Sequence, residues 1–455
     1  MIKISIIGAG SVAWSGRVIR DLCLTPGLYG STIVLMDIDE GRLKLIHAFA
    51  RRYASEVEAN LNFEKTTDRG EALREADFVV NTAMVGGHLY YEKMRAISEK
   101  HGYYRGVNSV EWNMVGDYHT IWGYYQFKLM MDIVRDIEDL CPDAWLLLIA
   151  NPVFEGTTLI ARETKVKVIG LCHGHLGYRK IAEALGLISN DVEFEAVGFN
   201  HLIWLTKFHY RGEDVYHLID EWIKSEAQHY WKRWYEKQTD PFDIDMAPVA
   251  VDLYRTYGLY PVGDTVRNTT WKYHWNLELK KKWYGPTGGP DSEIGWKIYL
   301  DMERNVLNEM AKAIEGTSTF LVSKYPPEKS RESVIPIIDS IVNDKRSLYQ
   351  VNIPNQGVIE GIPDDVAVEV PALIDGKGVH RVNVSRLPKR IVNYVLHPRL
   401  VRLEWALEAF LEGGRNLLFD WLIVDPRTRT NEQVEKTIDD LLSIPENEEM
   451  RKHFK

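Results

Sequence analysis

The apolar run Lys3-Ile4-Ser5-Ile6-Ile7 is followed at once by Gly8-Ala9-Gly10-Ser11-Val12-Ala13, where a helical pattern begins. No other feature constrains the fold as tightly. Gly8 permits the tight turn, Gly10 lets a ligand approach the backbone, and Ala13 fills the third small position needed for packing helix on strand. The first amides of such a helix are unpaired and lie at the positive end of its dipole, which suits a pyrophosphate. The spacing therefore predicts a dinucleotide over Gly8, Gly10, Ser11 and Val12. Asp37 ends the second apolar run, Ile33-Val34-Leu35-Met36. Its carboxylate either accepts the ribose hydroxyls, favouring NAD over NADP, or caps the next helix, for which Asp39 is equally placed.

Short apolar runs alternate with helix-length stretches through the first part of the chain. Strands are expected at Lys3–Ile7, Thr32–Met36, Asn62–Thr66, Phe78–Thr82, Trp145–Ile149 and Lys167–Leu171, and helices at Glu40–Glu58 and Tyr118–Leu140. Most of the runs are continuously apolar, as in parallel strands buried on both faces. Repeated strand–helix units with right-handed crossovers make an α/β, doubly wound parallel sheet of the Rossmann type. After about residue 190 the texture changes. Val192–Tyr210 reads as a hairpin, 214–300 as mostly helical and rich in Trp and Tyr, and Val351–Val370 as strands with turns. The C-terminal stretch is mostly helical, with Leu400–Leu411 amphipathic. Two domains are expected, 1–190 and 191–455, the second a mixed α/β body.

Composition excludes several function classes. With 55 Lys and Arg against 65 Asp and Glu the net charge is −10, and nucleic-acid binding is not expected. The 3 cysteines, Cys23, Cys141 and Cys172, fit neither a disulfide framework nor a CxxC zinc ribbon and point to a reducing cytoplasm. The longest apolar run, near Ala144 to Ala150, is strand-sized, so no membrane span is expected.

Three segments fall where strands of such a sheet should end: Asn151-Pro152, Cys172-His173-Gly174-His175 and Gly198-Phe199-Asn200-His201. Ligands of open sheets bind beyond these ends, so all three can converge on the nicotinamide. A thiolate and an imidazole suit a divalent transition metal, and Cys172 with His201 is the favoured pair, substrate oxygens completing the shell. A buried hydrophobic cysteine and a hydrogen-bonded core histidine are the alternatives. His175 either supports the ligands or lies on the surface of the next helix. The aromatics from Trp222 to Trp283 are mostly core or interface residues with few sugar contacts, and Lys280-Lys281-Lys282 reads as a solvated turn.

In this order, the glycine turn, Asn-Pro, Cys-His-Gly-His and Gly-x-Asn-His resemble glycoside hydrolase family 4. Val351-Asn352-Ile353-Pro354-Asn355-Gln356-Gly357 resembles a segment of that family's second domain, and the likeness runs from Ile4 to about Pro371. Cys-His-Gly-x resembles the α-glucuronidase-like subgroup. The resemblance implies a second domain of the lactate and malate dehydrogenase superfamily type, NAD, and a divalent metal, usually Mn²⁺. It also implies α-glycoside or uronide substrates and a homodimer or homotetramer. Hydrolysis would proceed by transient oxidation at C3, deprotonation at C2, elimination, water addition and re-reduction, unlike two-carboxylate glycosidases.

By the same resemblance Cys172 and His201 are metal ligands, and Asn151 and Glu111 contact substrate. His173 stands at the position of the acid, and Asp264, in Tyr260-Pro261-Val262-Gly263-Asp264, at that of the base, with Tyr260 its rival. The subgroup likeness implies an α-glucuronidase, with an α-glucosidase, α-galactosidase or α-galacturonidase of the same family as the alternatives. A 2-hydroxyacid dehydrogenase would need a Gly-His-Gly-Asp segment, which is missing. A non-catalytic NAD-binding protein would leave the strand-end cluster without a role.

Overall fold

The computed structural model describes residues 1–107, 122–316 and 320–455. Six parallel strands open the chain: β1 Lys3–Ile7, β2 Thr32–Met36, β3 Asn62–Thr66, β4 Phe78–Asn81, β5 Trp145–Leu148 and β6 Lys167–Gly170. Their order is β3-β2-β1-β4-β5-β6, the doubly wound arrangement expected from the alternating pattern. Strands β1, β2, β4 and β5 are buried almost throughout, because helices cover both faces. β3 has only Phe63 buried, as suits a sheet edge. The helix expected from Glu40 ends at Glu56, and Asp39 caps it by accepting from the Arg42 amide at 3.0 Å. The helix expected from Tyr118 is described over Tyr124–Leu140.

The sheet then continues with antiparallel pairing. β7 Val192–Phe199 and β8 Leu202–Tyr210 form the expected hairpin, and β9 Glu213–Asp214 and β10 Tyr260–Val262 each pair with β8. β11 Ser347–Pro354 joins β6 through Asn352 opposite Gly170. β12 Ala367–Asp375 joins β7 through Glu369 opposite Gly198, and β13 Gly378–Arg381 pairs with β12. Thirteen strands among the described residues thus share one sheet.

Later helices pack back onto the first ones. Glu293–Glu315 lies on the helices Val12–Cys23 and Glu40–Glu56, so closely at one point that a Cβ on Gly16 would stand 2.9 Å from Met310 Cε. One apolar core runs from Ile4 to Leu407, each fully buried aliphatic side chain contributing roughly 1.5–3 kcal/mol. The helix His397–Glu412 buries Leu403, Ala406 and Leu407, but it also buries Arg399 and Arg402 and exposes Val401 and Leu411, so its apolar face is less clean than the amphipathic pattern predicts. Among the described residues, no helix is long and apolar enough to cross a membrane.

Candidate active site

The glycine turn is built as the sequence requires. The amides of Gly8 and Ala9 both donate to Met36 O at 2.9 Å, which ties the turn to the end of β2. Gly8 has φ +86°, and a Cβ there would stand 2.6 Å from the Ala83 backbone. The helix Val12–Cys23 starts at Ser11 with no side-chain cap and no acid in its first turn, leaving the dipole's positive end for an anion. Asp37 Oδ2 accepts the Gly10 amide at 2.7 Å, and its Oδ1 accepts the Asp39 amide at 2.9 Å. A Cβ on Gly10 would come within 2.7 Å of that carboxylate. Asp39 is the helix cap, and Asp37 is held beside the turn. A turn too tight for a Cβ at Gly8 or Gly10, an uncapped helix start and a fixed carboxylate beside it fit a dinucleotide.

Cys172 follows β6, Asn151 follows β5, and Asn200-His201 forms the β7–β8 turn. Asp264 follows β10, which runs beside that turn with Val262 opposite Ile203. The fold therefore brings these segments together. His201 Nε2 lies 3.4 Å from Asp264 Oδ2. A Cβ on Gly263, whose φ is +58°, would stand 2.3 Å from Gly174 O, so the two loops touch backbone to backbone. Cys172 Sγ accepts the Gly174 amide at 3.4 Å, and His175 Nδ1 meets Cys172 O at 3.1 Å. His175 is buried, so it braces the cysteine loop and is not a surface residue. His201 takes φ +61°, an unusual conformation for a non-glycine residue. Asn200 next to it donates to Glu369 Oε2 at 2.9 Å.

The donor chemistry fits an open-shelled ion. Among the described residues, no group of three or more His, Cys, Asp or Glu side chains is placed to hold a metal. Cys172 and His201 could therefore supply two ligands at most, with other positions left for oxygens from elsewhere. The buried Oδ1 atoms of Asn151 and Asn200 have no hydrogen-bond partner among the described residues, as expected of groups that await a ligand.

Electrostatics separate the candidate acid and base. Burial works to raise the pKa of Asp264, but Arg267, then His201, hold it down to about 2. Arg267 Nη1 donates to Asp264 Oδ1 at 2.5 Å, and its Nε and Nη2 grip Asp291 at 2.8 Å each. His173 Nδ1 lies 3.5 Å from Glu332 Oε1, which also faces Arg17 Nη1 at 3.5 Å. The Glu332 carboxylate lifts His173 to about 9. Glu332 is itself placed by Ser330, whose amide and hydroxyl both bond to Asp21.

Tyr260 is fully buried, its hydroxyl donates to Asp245 O at 3.0 Å, and burial pushes its phenol well above the usual range. Glu111 lies outside the described residues. The lysine run is not a solvated turn but part of the helix Leu277–Tyr284, in which Lys280 is buried with Nζ 3.1 Å from His274 Nδ1. Trp222 and Trp234 are core residues, as most of those aromatics were expected to be. Arg267, three residues after Asp264, was within reach of a spacing argument. Glu332, Glu369 and Asp245 carry no signal in the sequence.

Sequence models of the two parts of one family match this chain: family 4 glycosyl hydrolase over residues 3–188, and the family 4 glycosyl hydrolase C-terminal domain over residues 196–428. An α-galactosidase of Bacillus subtilis is 25% identical over 98% of this chain and 96% of its own length. An α-galacturonidase of Thermoanaerobacter italicus is 25% identical over 94% of this chain and 92% of its own. The crystal structure of a 6-phospho-α-glucosidase from gut microorganisms, in complex with NAD and Mn²⁺, superposes with a TM-score of 0.75. It is 19% identical and covers 98% of each chain.

Proposed function

The chain belongs to glycosyl hydrolase family 4, and on that premise we propose that it is an NAD- and divalent-metal-dependent α-uronidase, acting first of all on α-glucuronides. The observation that carries the catalytic part of this reading is the meeting of the Cys172, His201 and Asp264 segments beyond the strand ends, with His201 3.4 Å from Asp264. In this reading NAD lies over Gly8 to Val12 with its ribose at Asp37, and Mn²⁺ is held by Cys172 and His201. Residues 1–190 carry the dinucleotide. Residues 191–455 carry the substrate, the second metal ligand and contacts between copies in a homodimer or homotetramer, in the reducing cytoplasm that the thiol ligand needs.

When bound, the nicotinamide supplies a hydride acceptor and donor at C3, and the ion supplies positive charge at the neighbouring oxygens. The chain's own residues handle protons. Asp264, ionised throughout the neutral range, takes the C2 proton, made acidic by the adjacent carbonyl. His173, with Nδ1 turned to Glu332, keeps Nε2 for the departing oxygen at C1. Asn151 Oδ1 meets sugar hydroxyls. The net reaction is hydrolysis.

The Cys-His-Gly-x sequence supports glucuronide, and the α-galacturonidase relative supports galacturonide as the second reading. Nitrophenyl α-glucuronide, α-galacturonide, α-glucoside and α-galactoside, assayed with NAD⁺, Mn²⁺ and a thiol reductant, separate these. Turnover of both neutral glycosides and of neither uronide would overturn the uronidase reading.

A further inference from the structure

We propose that Asp245 is a positioning residue whose carboxylate, wedged between Gly177 and the amide of Gly263, sets the Asp264 turn against the loop of Cys172 and His173. The inference rests on reading those three residues as the reacting and ligating groups.

The backbone around Asp245 is held by rigid aromatic donors. Trp231 Nε1 donates to Met246 O at 2.8 Å, Trp234 Nε1 to Asp243 O at 3.0 Å, and Tyr260 to Asp245 O at 3.0 Å. Both tryptophans lie on the helix Ala227–Lys237, and Tyr260 opens β10, so Asp245 is fixed from two directions. From this base the side chain reaches the joint between the two loops. A Cβ on Gly177 would stand 2.4 Å from Asp245 Oδ1 and 2.9 Å from the Gly263 nitrogen. Both atoms crowd the same point of Gly177, so the carboxylate is packed beside the first amide of the Asp264 turn.

Asp264 is the next residue, and its own amide would lie 4.0 Å from a Cβ on Gly174. The carboxylate thus closes a joint that glycines leave open on both sides. Burial lifts Asp245 to about 7, with Gly263 opposing and the charges of Asp264 and Asp243 adding to the rise. An acid placed only for solubility would be neither desolvated nor packed in this way. Leucine could fill the volume of the joint, but it would offer no acceptor to the Gly263 amide beside it.

The test pairs hydrogen exchange with kinetics on the full chain. In Asp245→Ala, peptides covering 172–178 and 262–266 should exchange at least about tenfold faster while those of β1 are unchanged. The kcat should fall about 30-fold with KM within about threefold, since geometry is lost and uniform binding is not. Asp245→Asn keeps an acceptor oxygen, so it should restore protection and most of the lost kcat. Should the alanine variant not fold, Asp245→Glu, whose extra methylene has no room against Gly177, gives the same two readouts. Wild-type exchange in the alanine variant, or failure of asparagine to restore protection, would overturn the proposal. A wild-type chain that hydrolyses no glycoside overturns the functional reading alone, and the exchange data still decide this one.

Discussion

Asp264 is held on both oxygens: its Oδ1 takes Arg267 at 2.5 Å, and its Oδ2 lies 3.4 Å from His201 Nε2. The carboxylate is therefore aimed and kept ionised by the side chains that surround it. Turnover in D₂O should give product carrying deuterium at C2, because that bond is broken and rebuilt. Asp264→Asn should cut exchange and hydrolysis by about 10²–10⁴-fold. Tyr260→Phe, which removes the hydroxyl's bonds to Asp245 O and Met246 Sδ, should stay within about fivefold of wild type and lose roughly 1 kcal/mol of stability. NMR of the product sugar reads the outcome, and hydrolysis without deuterium at C2 would discard the elimination chemistry.

The dinucleotide turn gives a second expectation. Asp37→Ala removes the acceptor of the Gly10 amide and the charge that disfavours a 2′-phosphate. Fluorescence titration should show NAD binding weakened by about 10–100-fold and the preference over NADP reduced. An unchanged preference would move the ribose away from Asp37.

Metal binding should depend on Cys172 and His201 and respond to Glu369 through Asn200. Cys172→Ser and His201→Ala should each abolish tight Mn²⁺ binding, read by calorimetry, while leaving NAD affinity nearly intact. Glu369→Ala frees the turn that carries His201 and should weaken Mn²⁺ by about 10–100-fold. Full hydrolytic activity in excess chelator would remove the ion from the site.

Glu332 is expected to act through His173. Glu332→Ala should lower kcat on nitrophenyl substrates by about 10–100-fold. With a dinitrophenyl leaving group, which departs without a proton, the loss should shrink to a few fold. Equal losses on both substrates would mean that Glu332 serves only the fold.

Asp245 supplies the pH dependence. Its folded pKa of about 7 lies above the usual 3.8, so the native state holds a proton that the unfolded chain has released. Its contribution to stability therefore declines as pH rises from about 4 through 7. Lys180 opposes that decline, while Asp243 and Asp264 add to it. Asp245→Asn has no such titration. Its Tm should exceed that of wild type by ~2 °C or more at pH 8, and the two should converge as pH falls below about 4.

The parallel half of the fold was legible because its signals are local. Apolar runs of strand length marked β1 and β2 to the residue, and the glycine turn fixed where an anion would sit. The strand-end motifs also single out Cys172, His173 and His201, and the family resemblance adds Asp264. What tertiary structure alone decided is which groups surround them. Tyr260 and Asp264 look alike as bases in the sequence, and only burial shows that one hydroxyl is spent on a backbone carbonyl while the other side chain faces His201. Asp245, Glu332 and Glu369 reach the site from distant segments, through the aromatic helix, the Ser330–Asp21 contact and the β12–β7 pairing. Periodicity and motif spacing report neighbours along the chain. Desolvation and charge depend on neighbours in space, and these arise only when the sheet closes its antiparallel half onto the ends of the parallel one.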